Sequence, residues 1–257
     1  MLLAIDVGNT NITIGLFDGE EMKGHWRLST NQHKTRDELG LRINSLLEHE
    51  GYGKNSLRKI LISSVVPYLN RPLQEGLVKY LDGDPVFLTP HRGKSPIELD
   101  VEEPWAVGSD RIANCIAAHH ISEGAGLVID FGTAINFDLF SASGAFLGGA
   151  ISPEMEMSLE ALYRKAALLP EIELKVPDSV IGKTTSQTLN SGFVFGFVSM
   201  VQGMIHRFKE SYNEELNVIA TGGKGKLICG EIQEIQKYEE YLALEGLRLW
   251  WDEFPHN

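Results

Sequence analysis

One short pattern occurs twice in this chain, and the repetition limits its possible folds more than any other feature. Leu2-Leu3-Ala4-Ile5 runs into Asp6-Val7-Gly8-Asn9-Thr10, and Leu127-Val128-Ile129 runs into Asp130-Phe131-Gly132-Thr133-Ala134. A second apolar stretch follows each, from Ile12 to Phe17 and from Ile135 to Phe140. The two Asp residues are separated by nearly half of the 257 residues, the spacing of a duplicated domain. A strand that ends in Asp places a carboxylate at a sheet edge, where it can hold a hydrated Mg²⁺. The Gly that follows permits a tight turn whose backbone N–H groups approach an anion. Asn or Thr adds a side-chain hydrogen bond to a phosphate oxygen. A single copy would read as an ordinary hairpin turn, where Asp and Gly are common. Two copies at this spacing read as phosphate-handling turns that together grip a nucleotide triphosphate.

The flanking segments fit this duplication. Residues 2–8 and 11–17 predict a hairpin, with a third strand near His25 to Leu28. Thr35-Arg36-Asp37-Glu38 has the capping-box pattern, and Leu39, Leu41, Ile43, Leu46 and Leu47 carry a helix to about Glu50. Lys59 to Val66 reads as a strand ended by Pro67, and Val86-Phe87-Leu88 as another. The β-β-β-α-β order restarts after residue 126. Two related α/β domains are therefore expected, over 1–118 and 119–257, with the Pro- and charge-rich segment 91–104 as a joining loop. In the second half, helices are expected over 158–167, 185–212 and 239–252. Leu216 to Ala220 reads as a strand entering Thr221-Gly222-Gly223.

Composition narrows the partners. With 23 basic and 35 acidic residues, the net charge of −12 repels nucleic acid and anionic membranes. Neither is an expected partner, and an anionic substrate must be met by local donors or a cation. The apolar stretch Gly192 to Ile205 falls short of the ~20 residues of a membrane span and reads as a buried helix. Cys115 and Cys229 have no metal-ligand or redox spacing. With no basic segment before the first apolar run, a cytoplasmic location is expected.

A third candidate segment is Gly108-Ser109-Asp110-Arg111, which opens the helical run Ile112 to His119. Ser109 can cap that helix. Asp110 reads either as a favourable N-terminal charge or as a carboxylate, ionised at pH 7, that accepts a proton from a substrate hydroxyl. Arg111 can hold a carboxylate or phosphate bidentately. Thr221-Gly222-Gly223 and Gly148-Gly149 read equally as turns or ligand-facing backbone. Thr184-Thr185 reads as a helix cap, and His119-His120 and Trp250-Trp251 as packing residues.

Together these segments resemble the type III pantothenate kinases, members of the acetate kinase, sugar kinase, Hsp70 and actin superfamily. The resemblance rests on Asp6 to Thr13, Ser63-Ser64-Val65-Val66-Pro67, Gly108 to Arg111, Asp130 to Ala134, Ile181-Gly182-Lys183-Thr184-Thr185, Thr221-Gly222-Gly223 and Leu244-Glu245-Gly246-Leu247. It implies an α/β fold of two duplicated RNase H-like, actin-like ATPase domains with a nucleotide cleft between them. It also implies ATP-dependent phosphorylation of pantothenate to 4'-phosphopantothenate, the first step of coenzyme A biosynthesis. On this resemblance Asp110 is the proton acceptor, and Gly108, Ser109, Asp110 and Arg111 line the pantothenate site. Asp6, Val7, Gly8, Asn9, Thr10, Asn11, Ile12, Thr13 and Thr133 bind ATP. Mg²⁺ accompanies ATP, held through water by Asp6, and Asp130 ligates a monovalent cation, K⁺ or NH₄⁺. Thr185 contacts pantothenate across a homodimer interface.

Three positions depart from the family pattern. Val101 stands where a Tyr is usual, Thr133-Ala134-Ile135-Asn136 where Thr-Ala-Thr-Thr is common, and Pro153-Glu154 where Pro-Gly is common. If Val101 and Ile135 face the substrate, Val101→Tyr and Ile135→Thr should tighten pantothenate binding. Two other functions compete: a kinase for another small hydroxy acid, and a regulatory relative without turnover.

Overall fold

The computed structural model describes every residue except Gln32, Lys54, Asn55, 91–94, Ala167 and 254–257. The first part of the expected 91–104 loop and the end of the helix expected over 158–167 lie outside the described residues. The chain divides into two compact units: residues 1–117 with the last helix, and residues 118–241. The last helix, which reading from sequence assigned to the C-terminal half, thus groups with the first unit.

The first unit is built on β1 (Leu2–Val7), β2 (Asn11–Asp18), β3 (Glu21–Ser29), β4 (Lys59–Ser64) and β5 (Pro85–Phe87), in sheet order β3-β2-β1-β4-β5. β1 and β4 bury nearly every side chain, as central strands covered on both faces must. β3 alternates between exposed and half-buried residues, the pattern of an edge strand with one solvated face. Two helices, α1 (Arg36–His49) and α2 (Pro67–Leu81), pack together on this unit. α1 opens with the expected capping box, the Thr35 side chain meeting the Glu38 backbone and the Glu38 side chain returning the bond. α2 was not expected, because Pro67 reads as a stop. In the structure Pro67 occupies the first helical turn, where its missing N–H costs nothing and its fixed φ suits a helix. A 3₁₀ turn at Pro104–Ala106 leads into α3 (Ser109–Ile121), within which the division between the units falls.

The second unit repeats the first strand for strand. Its sheet, β6 (Gly126–Phe131), β7 (Ala134–Phe140), β8 (Phe146–Pro153), β9 (Asn217–Thr221) and β10 (Lys237–Tyr238), runs in the order β10-β9-β6-β7-β8. In both units the first three strands are antiparallel and the last two join in parallel. The register matches as well: Asp6 lies beside Ser63 of β4, and Asp130 beside Thr221 of β9. This unit also carries α4 (Met155–Lys165) and α5 (Thr185–Tyr212). α5 is 28 residues long, the one helix among the described residues long and apolar enough to span a bilayer. Val194, Val198, Val201 and Ile205 on α5 join Leu127, Ile129 and Phe137 in the core of this unit, the role of a core helix in a folded domain.

The last helix, α6 (Leu242–Glu253), lies on β1, β4 and β2 of the first unit. Gly246 makes that possible, since a Cβ there would come within 1.9 Å of the Ala113 carbonyl oxygen on α3. Trp250 is buried, and the Trp251 ring lies under the Lys59 ammonium, 5.0 Å from its centroid. Both therefore serve packing, as does His119, which meets Phe140 edge to face.

Candidate active site

The first unit brings polar residues from three separate stretches of sequence to the C-terminal ends of β1 and β4, the usual ligand edge of an α/β sheet. Asp6 sits near the end of β1 and Ser63 beside it on β4. Ser63 is fully buried, and its hydroxyl lies 3.1 Å from that of Ser109 at the start of α3. Ser109 Oγ also accepts the Ser64 backbone N–H at 2.8 Å. Ser109 therefore ties α3 to β4, a role beyond the helix cap expected of it. The tie holds the next residue, Asp110, close enough for its charge to act on Asp6.

Electrostatics then set the state of this pair. Burial, followed by the charge of Asp110, pushes the Asp6 carboxyl up to about 7, against the Ser63 hydroxyl that donates to it. Asp6 Oδ1 is buried without a hydrogen-bond partner. Burial also pushes Asp110 above the usual carboxylate range, although the Arg111 backbone N–H, 2.8 Å from Oδ1, and the Arg111 charge oppose it. Desolvation and the neighbouring Asp110 charge both favour the protonated form of Asp6.

The Asp6 turn is shaped for contact through its backbone. Gly8 N–H donates to the Asn11 carbonyl at 2.9 Å. Thr30, which reading from sequence did not single out, braces the turn: its hydroxyl donates to the Gly8 carbonyl at 2.7 Å and its N–H to the Thr10 carbonyl at 2.8 Å. Asn9 and Thr10 are exposed, Asn11 and Thr13 half-buried. Val7 and Ile12 are fully buried, so only their backbones are available to a ligand.

In the second unit the Asp130 turn is covered by the turn after β9. Gly222 has φ +90°, and a Cβ there would lie 2.5 Å from the Phe131 carbonyl and 2.6 Å from Asp130 Oδ1. A glycine is required on both counts. Gly132 N–H donates to the Ala134 carbonyl at 3.1 Å, and Thr133 stays half-buried. Ile135, by contrast, is 1% exposed and belongs to the core. The condition that it face the substrate is not met: its side chain points into the sheet-helix packing. Glu154 is also buried, turned inward to accept the Glu156 and Met157 N–H groups at the start of α4.

Thr185 is exposed in the first turn of α5, whose N-cap Thr184 accepts the Gln187 N–H. Along the same helix a cavity of about 410 Å³ opens between α5 and the end of β8, lined by Pro153, Leu189, Gly192, Phe193, Phe197 and Met200 among others. None of the residues expected to bind ATP or pantothenate lines it. Among the described residues no cluster of three or more His, Cys, Asp or Glu is built to hold a metal. A cation here would be held by single carboxylates, water and the ligand's own oxygens.

Comparison with known proteins agrees with this architecture. A family model described as type III pantothenate kinase matches residues 2–207. A type III pantothenate kinase from an Exiguobacterium strain is 41% identical over 249 residues, 97% of each chain. Among solved structures, a Campylobacter jejuni protein described as a Baf family transcriptional activator aligns over 97% of this chain and 98% of its own, with TM-score 0.61 and 20% identity. An Arthrobacter inorganic polyphosphate/ATP-glucomannokinase aligns over 96% of both chains, with TM-score 0.53 and 15% identity. These last two are alike in fold alone.

Proposed function

The chain belongs to the type III pantothenate kinase family, and we propose that it performs that family's reaction through the Asp6–Ser63–Ser109–Asp110 constellation. The chain is a kinase that transfers the γ-phosphoryl group of ATP to pantothenate. Asp110 takes the proton from the primary hydroxyl as its oxygen attacks the γ-phosphorus and the bond to the β-phosphate oxygen breaks. Gly108, Ser109 and Arg111 position pantothenate, with the Arg111 guanidinium suited to its carboxylate. The observation that carries this reading is the buried serine pair that clamps α3 to β4 and so fixes Asp110 beside Asp6.

Phosphoryl transfer asks a protein chiefly for positioning and charge neutralisation. In each unit a glycine turn beside an Asp serves the nucleotide, through Asp6 to Thr13 in one and through Asp130 and Thr133 in the other. The unpartnered Oδ1 of Asp6 fits a hydrated Mg²⁺ that neutralises the phosphates. The glycine-walled surroundings of Asp130 Oδ1 fit a monovalent cation held by oxygen. A second copy of this chain is the partner that suits the α5 face. There Phe193 and Phe197 stack with ring centroids 6.4 Å apart beside the cavity, and Ile151 is 66% exposed. In such a homodimer, Thr185 reaches the partner's pantothenate.

The test is pantothenate-dependent ADP release by the purified chain, with the product weighed by mass spectrometry. A product heavier by one phosphate is expected. Turnover of another hydroxy acid with none of pantothenate would overturn the substrate and leave the kinase.

A further inference from the structure

Glu154 and Lys224 belong to different elements and meet in the second unit. The Glu154 carboxylate, with its side chain 3% exposed, accepts the Lys224 ammonium at 2.8 Å. The same carboxylate accepts the Glu156 N–H at 2.9 Å and the Met157 N–H at 3.2 Å, so it also caps α4. Glu156 reaches Lys224 from the other side, again at 2.8 Å. Burial works against the Lys224 charge, but the hydrogen bonds it donates to Glu154 and Glu156 outweigh it and hold the ammonium above its ordinary pKa. Two carboxylates on one ammonium leave no net positive charge for a phosphate. This lysine is therefore poorly placed to act as a nucleotide ligand.

The backbone of Lys224 does something else. Its N–H donates to the Phe131 carbonyl at 3.3 Å, and Gly222, two residues earlier, lies against Phe131 and Asp130. The Tyr238 hydroxyl donates to the Gly222 carbonyl at 2.8 Å, on the strand side of the turn. Tyr238 anchors one end of the turn and the Lys224 side chain the other. The Asp130 turn is thus held between β9 and the start of α4. An ion pair with a buried carboxylate and a half-exposed ammonium contributes modestly to stability by itself; its use lies in fixing geometry.

We propose that Glu154 and Lys224 are positioning residues which, through the Gly222–Lys224 turn, hold the Asp130–Thr133 turn in its nucleotide-binding shape. The inference rests on the reading that Asp130 and Thr133 serve ATP. Loosening the pair should therefore weaken nucleotide binding and leave acceptor binding alone.

The experiment compares wild type with Glu154→Gln, Lys224→Met and the double variant. Equilibrium binding of Mg-ATP is measured by calorimetry, alongside KM for ATP, KM for pantothenate and kcat. Each single variant should raise the Kd and KM for ATP roughly three- to thirtyfold, and the double variant no more than the worse single, as groups in one network do. KM for pantothenate should stay within about twofold, because a small neutral change at the nucleotide side removes no acceptor contact. Lys224→Arg should restore most of the affinity, since it keeps the charge between the two carboxylates. If Lys224→Met fails to fold, Glu154→Gln carries the same prediction, because it keeps the size of the cap. Two results overturn the proposal. Unchanged ATP affinity in Glu154→Gln means that the pair does not set the turn. Tighter ATP binding in Glu154→Gln, with weaker binding in Lys224→Met, means that Lys224 contacts the nucleotide itself. Because calorimetry needs no acceptor, failure of the wild type to phosphorylate pantothenate would be seen separately.

Discussion

Asp6 carries two opposing demands. Binding a cation requires a carboxylate with an open oxygen, whereas burial without a partner makes that charge costly. Its ordinary value of 3.8 rises to about 7 in the folded chain. Within that window the folded state keeps a proton that the unfolded state has released, so stability falls as pH rises from about 4 to about 7. Asp6→Asn removes the penalty. Thermal melts of the ligand-free protein at about pH 5 and pH 8 should show the variant gaining a few degrees on wild type at the higher pH, while phosphoryl transfer drops. Parallel shifts at both pH values would show that Asp6 is not the titrating group. At Ile135 the expectation runs the other way from the sequence comparison. Its side chain is in the core, so Ile135→Thr buries a hydroxyl and should lose roughly 1–3 kcal/mol by chemical denaturation, with KM for pantothenate unchanged. A lower KM would return Ile135 to the pocket. Glu154 was legible as a departure from the family pattern, but its partner was not, because Lys224 lies 70 residues away in sequence.

Elements with a local signature were readable from sequence. The β1–β2 hairpin lies where the apolar runs put it, and α1 begins at its predicted capping box. The element that escaped, α2, has a proline at its first position and another inside, Pro72. Pro67 suits that first turn, whereas Pro72 opposes the helix, and packing of Leu69, Leu73 and Leu77 in the core outweighs it. The serine clamp could not be read either, since it depends on the register that sets Ser63 beside Asp6 and on where α3 starts. Gly246 tests how far α6 supports that clamp. A methyl group there meets the Ala113 carbonyl on α3. Gly246→Ala should cost roughly 1–3 kcal/mol by overpacking, seen as a lower urea midpoint. It should also lower kcat more than Mg-ATP affinity, because α3 carries Asp110 and not a nucleotide turn. Unchanged stability would mean that α6 shifts freely.

For the molecule as a whole, the duplicated units were visible in the repeated motif, and the matching strand registers bear the duplication out. Replacing K⁺ with a bulky organic cation should depress activity sharply if Asp130 holds a monovalent ion, since its charge next to phosphates needs a counter-ion; unchanged activity would remove that cation. Light scattering should give twice the 28.5 kDa chain mass. A fully active monomer would remove Thr185 from the pantothenate site. The central claim is that the clamped Asp110 drives transfer to pantothenate, and it is tested most directly by the pantothenate-dependent ADP-release rate of Asp110→Asn beside wild type at saturating ATP. Loss of a general base predicts a fall of roughly 10²- to 10⁴-fold with Mg-ATP affinity kept, and a rate within about threefold of wild type would reduce Asp110 to a helix-terminal charge.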